Sequence, residues 1–238
     1  MSKSPPKKTK GIRIYSNGKY FGNFLDNIRE GEGTFFYDSG DKYIGSWHNG
    51  LPSGEGTYYY KSGSYYKGFW KNGNMNGKGC FISFNGDKYE GDWVNDLKDG
   101  NGIMIYECGD KYDGEWKDNL MHGKGCFFYV SGAYYDGFWN KGKKFGKGKF
   151  FYSDGGNYDG DWVNDRKDGY GKMVFGNGDV YEGEWKRDLM DGKGVYYFNN
   201  GEKFEGLWIK GKHEGNIKAV YYDENNQNDF FWGKNEIE

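Results

Sequence analysis

The sequence predicts an all-β chain: an elongated, single-layer antiparallel meander of stacked 23-residue β-hairpins, solenoid-like in its repetition. Three observations carry this. Glycine supplies 43 of 238 residues and aromatics 21%, against only two alanines (Ala133, Ala219) and six leucines, so the residues that build helices are scarce. Segments such as "DKYEGDWVN" from Asp87 alternate with period two, the signature of a strand. A fixed 23-residue step runs over almost the whole chain, as in repeat architectures.

The step is set by Tyr-x-Gly-x-Trp. Trp47, Trp70, Trp93, Trp116, Trp139, Trp162, Trp185 and Trp208 are each 23 residues apart, with Gly two before and Tyr (Phe204 in the last) four before. Tyr20, Gly22 and Phe24 make an earlier copy with Phe for Trp, giving nine units; in a tenth frame, Gln227, Asp229 and Phe231, only the aromatic survives. Gly-x-Gly follows at the same step from Gly31/Gly33 to Gly192/Gly194 and breaks to Gly215-Asn216-Ile217 in the ninth copy. A third glycine recurs from Gly40 to Gly201.

One unit then reads as a hairpin. Tyr89, Gly91 and Trp93 point one way along the first strand, and Lys88, Glu90 and Asp92 the other. "DLKDG" reads as a turn, "NGIMIYE" as the second strand and "CGDK" as a tight turn into the next unit, for about eighteen strands in all. Aromatic or Met residues alternate along most second strands, as in Phe35/Tyr37, Tyr58/Tyr60 and Met104/Tyr106, on the face of Gly-x-Gly. A sheet without a second layer has to bury its rings on itself, and bare glycine backbone lets a neighbouring ring lie over it. The columns expected to form this core are Tyr43, Gly45 and Trp47; Tyr89, Gly91 and Trp93; Tyr112, Gly114 and Trp116; Tyr158, Gly160 and Trp162; and Tyr181, Gly183 and Trp185.

Tyr-x-Gly-x-Trp followed by Gly-x-Gly at this step resembles the MORN repeat (membrane occupation and recognition nexus), over roughly residues 11–222. The resemblance implies stacked hairpins in a long twisted sheet with a groove. With strands about 4.8 Å apart, nine hairpins would make a rod of roughly 85 Å. The expected domain plan is a disordered basic tail at 1–10, nine repeats at 11–222 and an acidic tail or cap at 223–238. Phe24, a first unit one residue short at Gly18, and Ile217 depart from the pattern, as capping units do. Phe230, Phe231 and Trp232 are read as a lid on the last hairpin, the alternative being an anchor into a partner.

Chemistry is hard to find in the pattern. A net charge of −2 gives no global field for nucleic acid or an anionic membrane. No stretch of 18 apolar residues occurs, "MSKSPPKKTK" lacks the apolar centre of a secretory signal, and three cysteines make no disulfide framework, so a cytosolic setting is expected. Cys80 and Cys126 share a column two units apart, about 19 Å at the expected spacing, too far for a disulfide. His48, His122 and His213 fall at or near the first turns of separate units, which argues against a metal. "GKKFGKG" at Gly142–Gly148 is one residue short of a phosphate loop and lacks Ser or Thr after Lys147. Carboxylate pairs such as Asp159/Asp161 and Glu182/Glu184, near Lys88, Lys111 and Lys203, read as cross-strand charge ladders. The expectation is no enzyme, no cofactor, no metal and no nucleic acid.

A second period lies inside the first. "KYEGDWVNDLKDGNG" at Lys88 returns as "NYDGDWVNDRKDGYG" at Asn157, three units on. Where most units from the fourth onward present Asp or Glu opposite the Tyr/Trp face, every third unit presents Phe69, Phe138 or Leu207, with Tyr65 and Tyr134 beside the first two. These five are the candidate partner-binding residues, apolar spots on an otherwise charged face. The alternative is a triplet duplication whose pattern has drifted. The functional expectation is a structural scaffold for protein–protein assembly in the cytoskeleton. Family resemblance points to a ciliary or flagellar axoneme component similar to radial spoke head proteins, with other proteins or a second copy of the chain as partners. Two alternatives stand beside it: a cortical tether to membrane or phosphoinositide, favoured only by the N-terminal lysines, and an accessory module of an enzyme complex.

Overall fold

Nineteen strands and no helix make up residues 6–214, which this computed structural model describes. The chain divides into two compact units, Met1–Leu120 and Met121–Glu238. In each, strands consecutive in sequence pair antiparallel. The first unit holds β1 (Lys8–Tyr15), β2 (Gly18–Leu25), β3 (Ile28–Tyr37), β4 (Lys42–His48), β5 (Leu51–Tyr59), β6 (Tyr65–Lys71), β7 (Asn74–Ile82), β8 (Lys88–Val94), β9 (Leu97–Ile105) and β10 (Lys111–Lys117). The second holds β11 (Leu120–Phe128) from Met121 on, then β12 (Tyr134–Asn140), β13 (Lys143–Phe151), β14 (Asn157–Val163), β15 (Arg166–Val174), β16 (Val180–Lys186), β17 (Leu189–Tyr197), β18 (Lys203–Ile209) and β19 (Lys212–Glu214). The all-β hairpin meander expected from the 23-residue step is the observed architecture.

Two turns alternate. His48 pairs with Leu51, which leaves Asn49 and Gly50 as a two-residue loop with φ of +49° and +79°, the type I′ geometry that matches strand twist. Asn95 and Asp96 do the same at +48° and +67°. "DLKDG" is therefore not a turn: Leu97 pairs with Val94 and Lys98 with Trp93, already inside β9. Asn and Asp tolerate the left-handed region, so the loop closes at Asn95–Asp96 and only Asp96 of "DLKDG" belongs to it. The second turn uses the third glycine. Gly40 (φ +96°) donates its amide to the Tyr37 carbonyl at 3.0 Å, and the Tyr37 amide donates to Asp41 at 3.0 Å.

In the hairpins that begin with β2, β4, β6, β8, β12, β14 and β16 the register slips. Gly45 faces Gly56, but Trp47 faces Pro52, so two steps along β4 match four along β5. The bulge divides the labour of Gly-x-Gly. Gly54 takes φ +97° at the bulge, a backbone state side chains rarely adopt. Gly56 lies under the Tyr43 ring, where a methyl group would collide with the phenol.

The aromatic columns form the core. Tyr20, Tyr43, Tyr66, Tyr89, Tyr112, Tyr135, Tyr158 and Tyr181 are all fully buried, and Trp47 to Trp208 nearly so. Trp47, Trp70, Trp93, Trp116, Trp162 and Trp185 each sit edge-on between two tyrosines, as Trp47 does between Tyr43 (5.2 Å, 88°) and Tyr20 (5.1 Å, 80°). Both polar tips are satisfied on backbone. Tyr43 Oη donates to the Ser46 carbonyl at 3.1 Å, the residue opposite the bulge, and Trp47 Nε1 to the Gly33 carbonyl at 3.2 Å. The predicted core columns at Tyr43, Tyr89, Tyr112, Tyr158 and Tyr181 occupy these positions.

The tail boundary moves. Lys8, Thr9 and Lys10, assigned to a disordered tail, lie in β1 and pair with Leu25, Phe24 and Asn23. Backbone pairing with β2 outweighs the charged composition there. Residues 1–5 and 215–238 lie outside the described part, and with them Ile217 and the proposed lid of Phe230, Phe231 and Trp232.

Candidate docking groove

Glycines pair across six consecutive strands of the first unit: Gly45 with Gly56, Gly56 with Gly68, Gly68 with Gly79, Gly79 with Gly91, and Gly91 with Gly102. Tyrosine rings cover this track on one face. On the other face it is the floor of an open groove of about 1160 Å³.

Two rows of side chains wall the groove. One runs through Ile44, Thr57, Lys67, Cys80, Glu90 and Ile103, each registered against the next. The other contains Ser46, Glu55, Phe69, Lys78 and Asn101. Phe69 is 48% exposed and faces Glu55 across the strands. Lys78 Nζ is held by Asp92 at 2.8 Å, and the Ser46 hydroxyl donates to Glu32 at 2.6 Å. Glu32, Glu55, Glu90 and Asp113 outnumber Lys67 and Lys78, so the walls are net acidic with apolar points at Ile44, Phe69 and Ile103. Burial pushes the Cys80 thiol up, which keeps it a packing group rather than a thiolate nucleophile. The three cysteines are free thiols.

The five candidate contact residues divide. Phe69, Phe138 and Leu207 are exposed at 48%, 42% and 46%; Phe69 and Phe138 sit at a bulge, Leu207 pairs directly with Glu214, and Phe69 lines the groove. Tyr65 and Tyr134 are half-buried in a different row nearer the strand starts. Tyr65 pairs with Tyr59 and Ile82; Tyr134 stacks on Phe151 at 4.2 Å and on Phe128 at 5.9 Å.

That row corrects the picture of apolar spots confined to every third unit. Phe36, Tyr59, Ile82 and Ile105 in the first unit, and Phe128, Phe151, Val174 and Tyr197 in the second, put an exposed or half-buried apolar residue in every repeat. The 23-residue step would have found the column, but it lies beside the buried ring positions and is easily assigned to the core. The charge ladders also differ from expectation. Lys149 with Asp159 (3.8 Å) and Lys172 with Glu182 (3.7 Å) are cross-strand, whereas Lys88, Lys111 and Lys203 bind Glu90, Asp113 and Glu205 two residues along their own strands.

Further cations lie on the aromatic face. Lys144 Nζ sits 4.6 Å from the Phe150 ring and 5.0 Å from Trp162, and Lys167 Nζ 4.4 Å from Trp185. Burial pulls both amines below the ordinary lysine range.

The MORN repeat model matches eight consecutive 23-residue segments, 20–42, 43–65, 66–88, 89–111, 112–134, 135–157, 158–180 and 181–203. The chain is a MORN-repeat protein. The match covers eight of the nine units in the sequence; the ninth starts at Phe204 and runs beyond the described residues. MORN hairpins thus account for both the buried columns and the glycine track. No curated protein matches the chain significantly. Among solved structures it is similar to the TCP10 domain of Danio rerio CPAP in complex with a STIL peptide (TM-score 0.41, 16% identity, 72% of this chain and 81% of that one). It is also similar to the TCP domain of Drosophila melanogaster SAS-4 in complex with a proline-rich motif of Ana2 (TM-score 0.32, 18% identity, 56% and 80%). Those scores leave the family assignment resting on the repeats.

Proposed function

We propose that this MORN-repeat chain is a non-enzymatic scaffold that assembles proteins along its sheet. The observation that carries this is the groove, whose glycine floor leaves backbone open and whose walls present Phe69 and Ile44 among carboxylates. Exposed apolar side chains at a regular spacing, rimmed by charge, are the composition of a docking surface. A groove of this kind takes an extended segment carrying basic and apolar side chains. Within this reading the setting is cytoskeletal, and family resemblance favours a ciliary axoneme, near radial spoke heads.

The test is Phe69→Ser with Phe138→Ser in the tagged chain. Proteins that co-purify stoichiometrically with wild type should be lost while the far-UV spectrum and Tm stay put, since neither ring is in the core. Co-purification at wild-type levels would overturn the groove reading. Fluorescence tagging then separates cilium from cell cortex. A membrane tether, the alternative carried by the N-terminal lysines, requires flotation on anionic liposomes that is lost when residues 1–10 are removed.

A further inference from the structure

The aromatic face has a missing tooth. Two residues beyond the inward ring or methionine of each second strand, the 23-residue step places another ring: Tyr37, Tyr60, Tyr106, Tyr129 and Tyr152, then Phe175 and Phe198. The third position in this column is Ser83. At Tyr37, Tyr60 and Tyr129 the ring is clasped from both sides. Tyr37 lies 4.5 Å from Phe35 and 5.6 Å from Tyr58 of the next hairpin; Tyr129 lies 4.6 Å from Phe127 and 5.8 Å from Phe150. Ser83 is too short to reach either neighbour. A cavity of about 320 Å³ stands there, walled by Phe81, Tyr89, Trp93, Met75 and Met104.

The carboxylate beside the slot keeps its local partners but lacks a phenol: Asp87 accepts from the Glu107 amide at 2.8 Å and from Asn85 Nδ2 at 3.2 Å. Asp41 and Asp179 each accept a phenol hydroxyl, from Tyr58 at 3.0 Å and Tyr196 at 2.9 Å. Asp87, their counterpart at this cavity, faces Met104 at the matching position. Lys98 also lines the cavity. Its Nζ rests over Tyr89 (5.0 Å) and Trp116 (4.9 Å), with Met104 Sδ at 4.0 Å and no carboxylate within 4.0 Å among the described residues.

We propose that the slot at Ser83 receives the phenol or phenyl side chain of a protein partner, seated where the other repeats seat their own. The repetition of the sheet specifies the occupant. A ring in this slot would lie against Phe81 on one side and Met104 on the other, and a phenol hydroxyl would come within reach of Asp87 or Lys98. Thioether walls adapt to an incoming ring, and an aromatic anchor in a preformed pocket is how interfaces concentrate their affinity. The slot is on the face opposite the groove, so the two sites stand or fall separately.

The full chain labelled with ¹³C-methyl methionine tests this. Met75 and Met104 line the slot, and Met173 and Met190 are controls in the second unit. Titrants at millimolar concentration are p-cresol, N-acetyl-Gly-Tyr-Gly-amide and N-acetyl-Gly-Ala-Gly-amide. The expected result is saturable ring-current shifts of Met75 and Met104 with the first two, none with the third, and silent controls. Ser83→Tyr should abolish the response and raise Tm, and Ser83→Ala should keep it. The proposal fails if Met75 and Met104 do not respond, if Ser83→Tyr responds like wild type, or if p-cresol binds and the tyrosyl peptide does not.

Discussion

Among single residues, the lysines on the aromatic face show how burial and charge compete. Lys144 and Lys167 occupy the column opposite each Trp that Met75 and Met190 fill in other repeats. Ring faces attract the ammonium, but burial costs more, and both amines titrate below their ordinary range. The unfolded chain therefore binds more protons than the fold. The penalty is complete below the lowered folded pKa and fades as pH climbs from there toward 10.5, the unfolded value. Lys144→Met should raise Tm at pH 7 by roughly 2–4 °C, and the gap to wild type should close as melts approach pH 10.5. A gap independent of pH would show that packing, not charge, sets the difference. Buried tyrosines pull the other way at high pH, Tyr20 being pushed up to about 12, but they are common to both proteins and cancel.

For the hairpin as an element, the bulge gives the two glycines of each Gly-x-Gly unequal tasks. Gly54 supplies a left-handed turn of the chain at the register slip, and its added Cβ would stand 3.1 Å from that of Ser46. Gly56 supplies bare backbone beneath Tyr43 and beside Gly45. Gly54→Ala should cost about 1–3 kcal/mol from backbone strain. Gly56→Ala should cost more, because the ring must leave a slot in which its hydroxyl is bonded to Ser46 and its faces are packed. Urea titrations of the two variants decide it; a smaller loss for Gly56→Ala would contradict the close-approach argument. The strands and buried columns were legible because the step repeats each position eight times or more, so one substitution cannot disguise a column. The two-residue turns at Asn95–Asp96 were not, because Asn and Asp reach positive φ without the glycine that usually announces it. The register slip left no mark in the sequence beyond the Gly-x-Gly it requires. The groove residue Phe69 was visible as a break in a charged column. The Ser83 slot was not, because only the packed rings show that a serine there leaves space between them.

For the molecule as a whole, the repeat is a modular unit whose ends match. Removing residues 66–88 joins Tyr65 to Tyr89 and restores Tyr-x-Gly-x-Trp in phase. That variant should retain a strand-type far-UV spectrum and a cooperative melt, and it should lose the p-cresol response with Ser83. Removing 67–77, an odd number, reverses which face the following residues occupy and should leave the first unit unfolded. Equal melts for both deletions would contradict the role of phase. The turns also tie each hairpin to the one before. The Asp96 amide donates to the Met75 carbonyl at 3.1 Å while its Oδ1 accepts the Met75 amide at 2.7 Å, and Asn119 holds Lys98 in the same two-way grip. Asp165 with Lys144 and Asp188 with Lys167 repeat it in the second unit. Fraying of one hairpin thus strips an acceptor and a donor from its neighbour at once. Breathing motions within either unit must travel as a wave through consecutive hairpins, and a partner seated on one of them would damp the next.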